Sequence, residues 1–159
     1  MINVSEFIKS YNAEQKVHIV VHSNNSDAEH WRDQNEAFRN QVIAAIMELE
    51  GAVKPELLRD IFRAEADFCE KIWGATESIG PLGKMLLMQT GADYIEDYFL
   101  GKEVSFDTQC AVSLGDVGRE RLTTIVAELK ASGAKCKQGE FTMDEVIEYI
   151  EGFLKEHYG

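Results

Sequence analysis

Two histidines near the amino terminus have the side-chain type and spacing that suit metal chemistry. His18 and His22 lie within residues 16–22, a run rich in β-branched residues. Such residues favour strands, and alternate residues of a strand point to one face, so the two imidazoles are predicted to lie side by side. Asp27 and His30 follow, and imidazoles and carboxylates are common metal ligands. The pattern predicts a candidate metal site at His18 and His22; the alternative is two polar residues on a half-exposed sheet face.

Carboxylates form a second set of candidates, because two groups of them fall within predicted helices. An acid/base pair requires a cleft that shifts the pKa of one carboxyl group, whereas charged residues on an amphipathic helix normally face water. We therefore interpret both groups as solvated acidic surfaces. The groups are Glu65, Asp67 and Glu70, and Asp93, Glu96 and Asp97.

The three cysteines are widely spaced and odd in number, which suits neither a disulfide framework nor a zinc site. Cys69 lies on an apolar helical stripe and Cys110 on the apolar face of a predicted strand, so both are predicted to be small core side chains. Cys136 stands between Lys135 and Lys137, whose charges favour the thiolate. Cys136 is thus the candidate reactive thiol, and an ordinary loop or edge-strand cysteine is the plainer interpretation.

Motifs of the common catalytic classes are absent from the sequence. It contains no Gly-x-Ser-x-Gly elbow, His-Glu-x-x-His helix, Cys-x-x-Cys pair or dinucleotide fingerprint. This absence favours a function other than catalysis without deciding the question, and no cofactor is predicted.

The charge of the chain is strongly negative and evenly distributed. It has 28 Asp and Glu against 16 Lys and Arg, a formal net charge of -12, and residues 1–50, 51–103 and 104–159 each contribute -4. No acidic tail accounts for the total, so the folded surface is expected to be negative on nearly all sides. Phosphate binding needs a cluster of Lys and Arg, which the sequence lacks. We therefore predict a basic protein partner, and neither nucleic acid nor an anionic membrane.

The length and composition predict one domain over residues 1–159. Only two prolines occur, and no stretch rich in Ser, Gly and Pro separates two halves. The first thirty residues show no signal-peptide pattern, and the longest apolar runs fall far short of the roughly 20 residues that cross a bilayer. These features predict a cytoplasmic protein without a membrane segment.

Apolar residues recurring at three- and four-residue spacing predict most of the helices. Pro55 suits the first turn of one helix, and Thr142 with Glu145 forms a capping box that opens the last. The predicted helices cover residues 2–11, 27–50, 55–73, 84–100, 116–132 and 143 to about the end of the chain. The helix over residues 84–100 is predicted to be interrupted or bent near Gly91.

Three segments are predicted as strands. Residues 16–22 are β-branched, residues 104–114 alternate between apolar and polar side chains, and residues 134–141 suit a short further strand. The predicted fold class is therefore α+β, with five or six helices packed on a small sheet of two to four strands.

These observations lead to two functional hypotheses. The first is an acidic binding protein, an inhibitor or immunity-type protein that occludes a cationic partner such as a nuclease toxin. The alternative is a small metal-dependent enzyme or metal-binding protein that uses His18 and His22. The abundant aromatic residues are also compatible with a homo-oligomer. The residues predicted to contact the basic partner are Glu145, Glu148, Tyr149 and Glu151 on the last helix, and Asp93, Glu96 and Asp97.

Overall fold

The computed structural model describes all 159 residues and consists of nine α-helices, one 3-10 helix and the loops that join them. It contains no strand, so the predicted α+β class is wrong and the fold is all-α. The elements are α1 (Val4–Ser10), the 3-10 helix (Ala13–His18), α2 (Glu36–Glu48), α3 (Pro55–Ile72), α4 (Ile79–Thr90), α5 (Ile95–Lys102), α6 (Phe106–Ala111), α7 (Leu114–Val117), α8 (Arg119–Ser132) and α9 (Met143–Tyr158).

Helix α3 is the central element of the fold. It begins at Pro55, whose missing amide hydrogen costs nothing in the first turn, and it packs against α4, α5 and α6. Ten of its residues are buried, including Leu57, Leu58 and Phe62. Six of these ten residues and 24 buried residues from the rest of the chain form one hydrophobic cluster of 30 residues. The broad apolar stripe of this helix, which the sequence predicts to be core as far as Trp73, is buried as far as Cys69. The prediction is wrong for its end, because Ile72 and Trp73 are 43% and 91% exposed.

The first predicted strand is a 3-10 helix followed by a loop. Asn12 caps the 3-10 helix by accepting a hydrogen bond from the Glu14 amide, and the side chain of Gln15 accepts one from the Asn12 amide. Of the β-branched run, Ile19 alone is fully buried. No second strand exists to pair with this segment, and a short apolar run does not distinguish a strand from another buried segment.

The second predicted strand, residues 104–114, contains α6 and the start of α7. Ser105 caps α6, since its hydroxyl accepts a hydrogen bond from the Thr108 amide. At the other end of α6, the buried ammonium group of Lys102 donates to the carbonyls of Gln109 and Val112. These caps stabilise a helix of six residues despite its alternating apolar pattern. The third predicted strand, residues 134–141, has no regular structure.

Several predicted helix boundaries also shift. The helix predicted over residues 27–50 begins only at Glu36, and the one predicted over residues 84–100 begins earlier, at Ile79. The predicted interruption near Gly91 is confirmed, and it divides this segment into α4 and α5. The division falls at Gly91, whose φ of +59° ends α4 with a backbone conformation that favours glycine. The capping box of Thr142 and Glu145 is confirmed at the start of α9.

A buried polar cluster joins α2, α3 and the long loop between the 3-10 helix and α2. The Arg39 side chain is fully buried and lies 2.6 Å from the Asp33 carboxylate and 2.9 Å from the Glu65 carboxylate. Asp33 also accepts the amide hydrogens of His22 and Asn35, and so holds the two ends of the loop together. The loop is therefore fixed at its base.

None of the helices combines the length and apolar composition that crossing a bilayer requires.

Candidate functional site

The exposed face of α9 brings together four of the predicted partner-binding residues. Residues three and four positions apart share one side of a helix, so Glu145, Glu148 and Tyr149 are neighbours, and Glu151 borders Glu148. The capping box directs the Glu145 carboxylate to the Thr142 amide, and Glu151 forms an ion pair with Lys130. Glu148 is exposed and has no partner within the chain, which leaves its full charge available to another molecule.

Tyr149 stands within this acidic face in a fixed position. Its ring meets the ring of Phe99 edge-on at 5.4 Å between centroids, and 51% of the residue is exposed. Partial burial, together with the carboxylate of Glu103, raises the pKa of Tyr149 above its usual range. The residue therefore presents a neutral, immobilised aromatic ring with a hydroxyl group at its outer end, as interface tyrosines do.

Asp93, Glu96 and Asp97 lie at the start of α5 or just before it, and two of them are engaged within the fold. The Asp97 carboxylate forms an ion pair with Arg63 at 3.0 Å. Glu96 accepts hydrogen bonds from the backbone amides of residues 137 and 138, at 2.8 and 2.6 Å, and so anchors the loop before α9. Asp93 alone is exposed, and its carboxylate has no hydrogen bond. Two of these three carboxylates thus stabilise the fold and are not free to bind a partner.

A groove of about 770 Å³ runs beside these residues, between α3, α5 and the end of α8. Its lining carries both signs of charge, with basic residues that lie far apart in the sequence. The fold therefore brings together a group of cations that are not clustered in the sequence. These cations are Lys16, Arg59, Arg63, Lys135 and Lys137.

Asp60 lies buried at the edge of this groove and neutralises part of its positive charge. Its carboxylate binds the Arg59 guanidinium at 2.9 Å, the Lys16 ammonium at 3.2 Å and the Tyr11 hydroxyl at 2.8 Å. Burial alone would raise the pKa of Asp60, but the hydrogen bonds from Arg59 and Tyr11 and the two positive charges outweigh it and hold the pKa below its usual range. Asp60 is therefore a stable anion that organises the groove.

His18 and His22 are not the neighbours on one strand face that the sequence predicted. His18 ends the 3-10 helix and meets the ring of Phe7 edge-on at 6.5 Å, whereas His22 lies in the following loop, with its amide bonded to Asp33. Both histidines are exposed, and the chain contains no group of three or more His, Cys, Asp or Glu side chains that could hold a metal ion. Metal binding at these histidines stays a prediction, without the geometry that motivated it.

The cysteines occupy three different environments. Cys69 is buried, as predicted, whereas Cys110 is exposed on α6 because the strand that would have buried it does not exist. Partial burial raises the pKa of Cys136, and the carboxylates of Glu96 and Glu145 raise it further. These carboxylates oppose the effect expected from the adjacent lysines, so the surroundings of Cys136 disfavour the thiolate that reactivity requires.

The buried partnership of Arg39, Asp33 and Glu65 was missed by the sequence interpretation. Glu65 was assigned to a solvated face, yet it is 1% exposed and accepts hydrogen bonds from Arg39 and Ser78. Its one sequence signal is its position, three and four residues from the apolar side chains of Phe62, Ile61, Phe68 and Cys69.

No protein-family model matches the chain, and no curated protein and no solved structure shows significant similarity to it.

Proposed function

We propose that this chain is an acidic binding protein that occludes a cationic protein partner, as an inhibitor or immunity-type protein does with a nuclease toxin. The observation that carries the proposal is the outer face of α9. There the exposed, unpaired Glu148 and the half-exposed Tyr149 are consecutive residues, and no basic residue occurs from Gln138 to Leu154. Aromatic rings bordered by charge are typical of protein interfaces.

The distribution of ion pairs supports a surface with excess negative charge. The ion pairs join five Lys or Arg side chains to five Asp or Glu side chains, so their charges cancel. The other charged residues therefore carry the whole net charge of -12. Lys102 is a further cation whose charge is buried, bonded to carbonyls. The carboxylates that have no partner therefore dominate the field around the molecule, which attracts cationic proteins and accelerates their association.

Occlusion follows from the chemistry of a nuclease surface. An enzyme that binds nucleic acid must present Lys and Arg side chains to phosphate groups. A carboxylate face can take the place of those phosphates, and an aromatic ring at its centre adds buried apolar area and a hydroxyl group. The chain would then compete with the substrate without any chemistry of its own.

Affinity capture with the purified chain, followed by purification of any basic protein recovered, tests the proposal. We expect a saturable complex of defined stoichiometry that persists at 0.15 M salt, where the Debye length is about 8 Å. Glu148→Gln and Tyr149→Ala are expected to weaken it. Glu120→Gln, an exposed carboxylate on α8 without a side-chain contact, is the matched control.

Two results would contradict the proposal. One is that affinity capture recovers no basic protein, or that the binding it detects does not saturate and vanishes at moderate salt. The other is an equal loss of affinity in Glu148→Gln and in Glu120→Gln, which would indicate attraction to net charge alone.

A further inference from the structure

The end of α3 carries a tryptophan that the fold does not use. Trp73 is 91% exposed, and neither an aromatic contact nor a side-chain hydrogen bond fixes its ring. It has φ of 56° and ψ of 46°, and it is the only residue other than glycine with a positive φ. A bulky side chain is disfavoured in this left-handed region, where glycine is the usual residue after a helix. The free protein would therefore be more stable with glycine at position 73.

Trp73 directly follows the last turns of α3, in which the buried Phe68 contacts the only other tryptophan of the chain. Ile72, beside Trp73, is 43% exposed, and Phe68 lies one helical turn earlier on the same side of α3. The ring of Phe68 lies 6.2 Å from that of Trp31, which reaches it from the loop before α2. We use "aromatic patch" for these four residues: Trp31, Phe68, Ile72 and Trp73.

The base of the aromatic patch is rigid. The guanidinium of Arg39 lies 4.9 Å from the centroid of the Phe68 ring on its inner side, and Asp33 and Glu65 fix that guanidinium. Asp33 also ties the ends of the loop that carries Trp31. These contacts preorganise Trp31 and Phe68, which therefore lose little conformational entropy on binding, whereas the Trp73 ring becomes ordered only in a complex.

The exposed charges in the two segments that form the patch are mainly acidic. Asp27 and Glu29 precede Trp31, and Glu70 and Glu77 flank Trp73; Arg32 and Lys71 are the cations among them. An aromatic centre with a polar rim is typical of a protein interface, in which tryptophan contributes disproportionately to affinity. The rim and the net charge of -12 disfavour a second copy of this chain and an anionic membrane as the occupant.

We propose that the aromatic patch is the docking surface for the cationic protein partner, with the Trp73 ring inserted into an apolar pocket bordered by Arg or Lys side chains. This inference rests on the proposed function for the charge of the partner. It adds a second contact to the face of α9, which covers the partner: the carboxylates of α9 also accelerate the encounter, and Trp73 adds the anchor that mainly sets the lifetime of the complex. Electrostatic complementarity acts mainly on association rates, whereas buried anchors act mainly on dissociation rates.

Stopped-flow kinetics with the purified partner from the capture experiment test this assignment. Trp73→Ala is expected to raise the dissociation rate constant by about tenfold or more while the association rate constant changes by less than about threefold. Glu148→Gln is expected to lower the association rate constant and its dependence on salt. Phe106→Ala is the matched control, because Phe106 is an aromatic residue of 76% exposure outside the patch.

Fluorescence gives an independent readout. In a Trp31→Phe background Trp73 is the only indole, and its emission should shift to the blue and resist acrylamide quenching when the partner saturates it. Trp73→Gly should melt at a higher temperature than the wild type, because it relieves the left-handed strain. A lower melting temperature would show that the fold uses the ring and would overturn the inference.

The remaining outcomes separate the inference from the proposed function. The inference fails and the proposed function stands under three joint results. Trp73→Ala leaves binding unchanged, the emission of Trp73 does not change when the partner binds, and Glu148→Gln weakens binding. If the wild type captures no saturable basic partner, both fail. A dimer in light scattering that Trp73→Ala dissociates, or a blue shift of Trp73 on phosphatidylcholine vesicles, would identify a different occupant and overturn the inference.

Discussion

The guanidinium of Arg39 and the carboxylate of Asp33 form an ion pair of 2.6 Å in which neither side chain reaches solvent. Glu65 completes the cluster from α3, so one cation serves two buried anions that lie on different segments of the chain. The Nη2 atom of Arg39 has no hydrogen-bond partner. The cluster therefore leaves little tolerance for the loss of its single positive charge.

Arg39→Met should lower the free energy of unfolding by about 3–5 kcal/mol, because it leaves Asp33 and Glu65 buried without a counter-charge. Urea denaturation measures the change. Arg119→Met, at an exposed position on α8, should stay within about 0.5 kcal/mol of the wild type. A similar small change in Arg39→Met would contradict the role assigned to the cluster.

Two buried tyrosines should respond in opposite ways to the loss of the hydroxyl group. The Tyr98 hydroxyl is buried without a partner, so Tyr98→Phe should leave stability unchanged or raise it by about 1 kcal/mol. The Tyr11 hydroxyl donates to the buried carboxylate of Asp60, so Tyr11→Phe should cost about 1–3 kcal/mol. Chemical denaturation of both variants checks the contrast, and equal effects would refute it.

Two glycines in helices also form a matched pair. A Cβ atom at Gly101 would lie 2.4 Å from the Phe62 ring, so Gly101→Ala should cost about 1–3 kcal/mol through overpacking. Gly152 lies inside α9 with no atom within 4 Å of such a Cβ, so Gly152→Ala should gain about 0.5–1 kcal/mol. Thermal denaturation should show opposite shifts, and a stabilising Gly101→Ala would indicate that the contact with Phe62 is looser than described.

Lys102 should make stability depend on alkaline pH. Burial lowers the pKa of its ammonium group, so the folded state binds this proton less tightly than the unfolded state does. The buried charge therefore lowers the free energy of unfolding by its full amount below the pKa of the folded state. This loss of stability disappears as the pH rises from that pKa towards the ordinary lysine value. The wild type should therefore gain stability relative to Lys102→Met as the pH rises towards the ordinary lysine value of about 10.5. Urea denaturation across this range is the measurement, and a constant difference would contradict it.

Helices with long stripes or explicit caps could be predicted from the sequence. Residues 55–73 combine a proline in the first turn with an apolar stripe, and α3 agrees with the prediction to within one residue. Thr142 and Glu145 likewise predicted the start of α9. Both signals are local, since they concern residues within one or two turns, and tertiary contacts then reinforce them.

The false strands arose from patterns that the rest of the fold overrides. Residues 104–114 alternate as a strand does, yet Ser105 and Lys102 stabilise the two ends of α6 within that range. The cap at Asn12 and Gln15 was the available signal for the 3-10 helix, and Ser105 with Thr108 was the signal for α6. The buried cluster of Arg39 and the grouping of cations in the groove depend on long-range contacts, which no local spacing encodes.

The order of the helix pairs bears on how the chain reaches its native state. α1 packs on α2, α3 on α4, α4 on α5, and α8 on α9, so many contacts join neighbours along the chain. Apart from the pair of α1 and α2, which a long segment separates, these contacts require the closure of short loops only, and local contacts of this kind favour fast folding. A newly synthesised copy of this chain would thus spend little time with its apolar side chains uncovered.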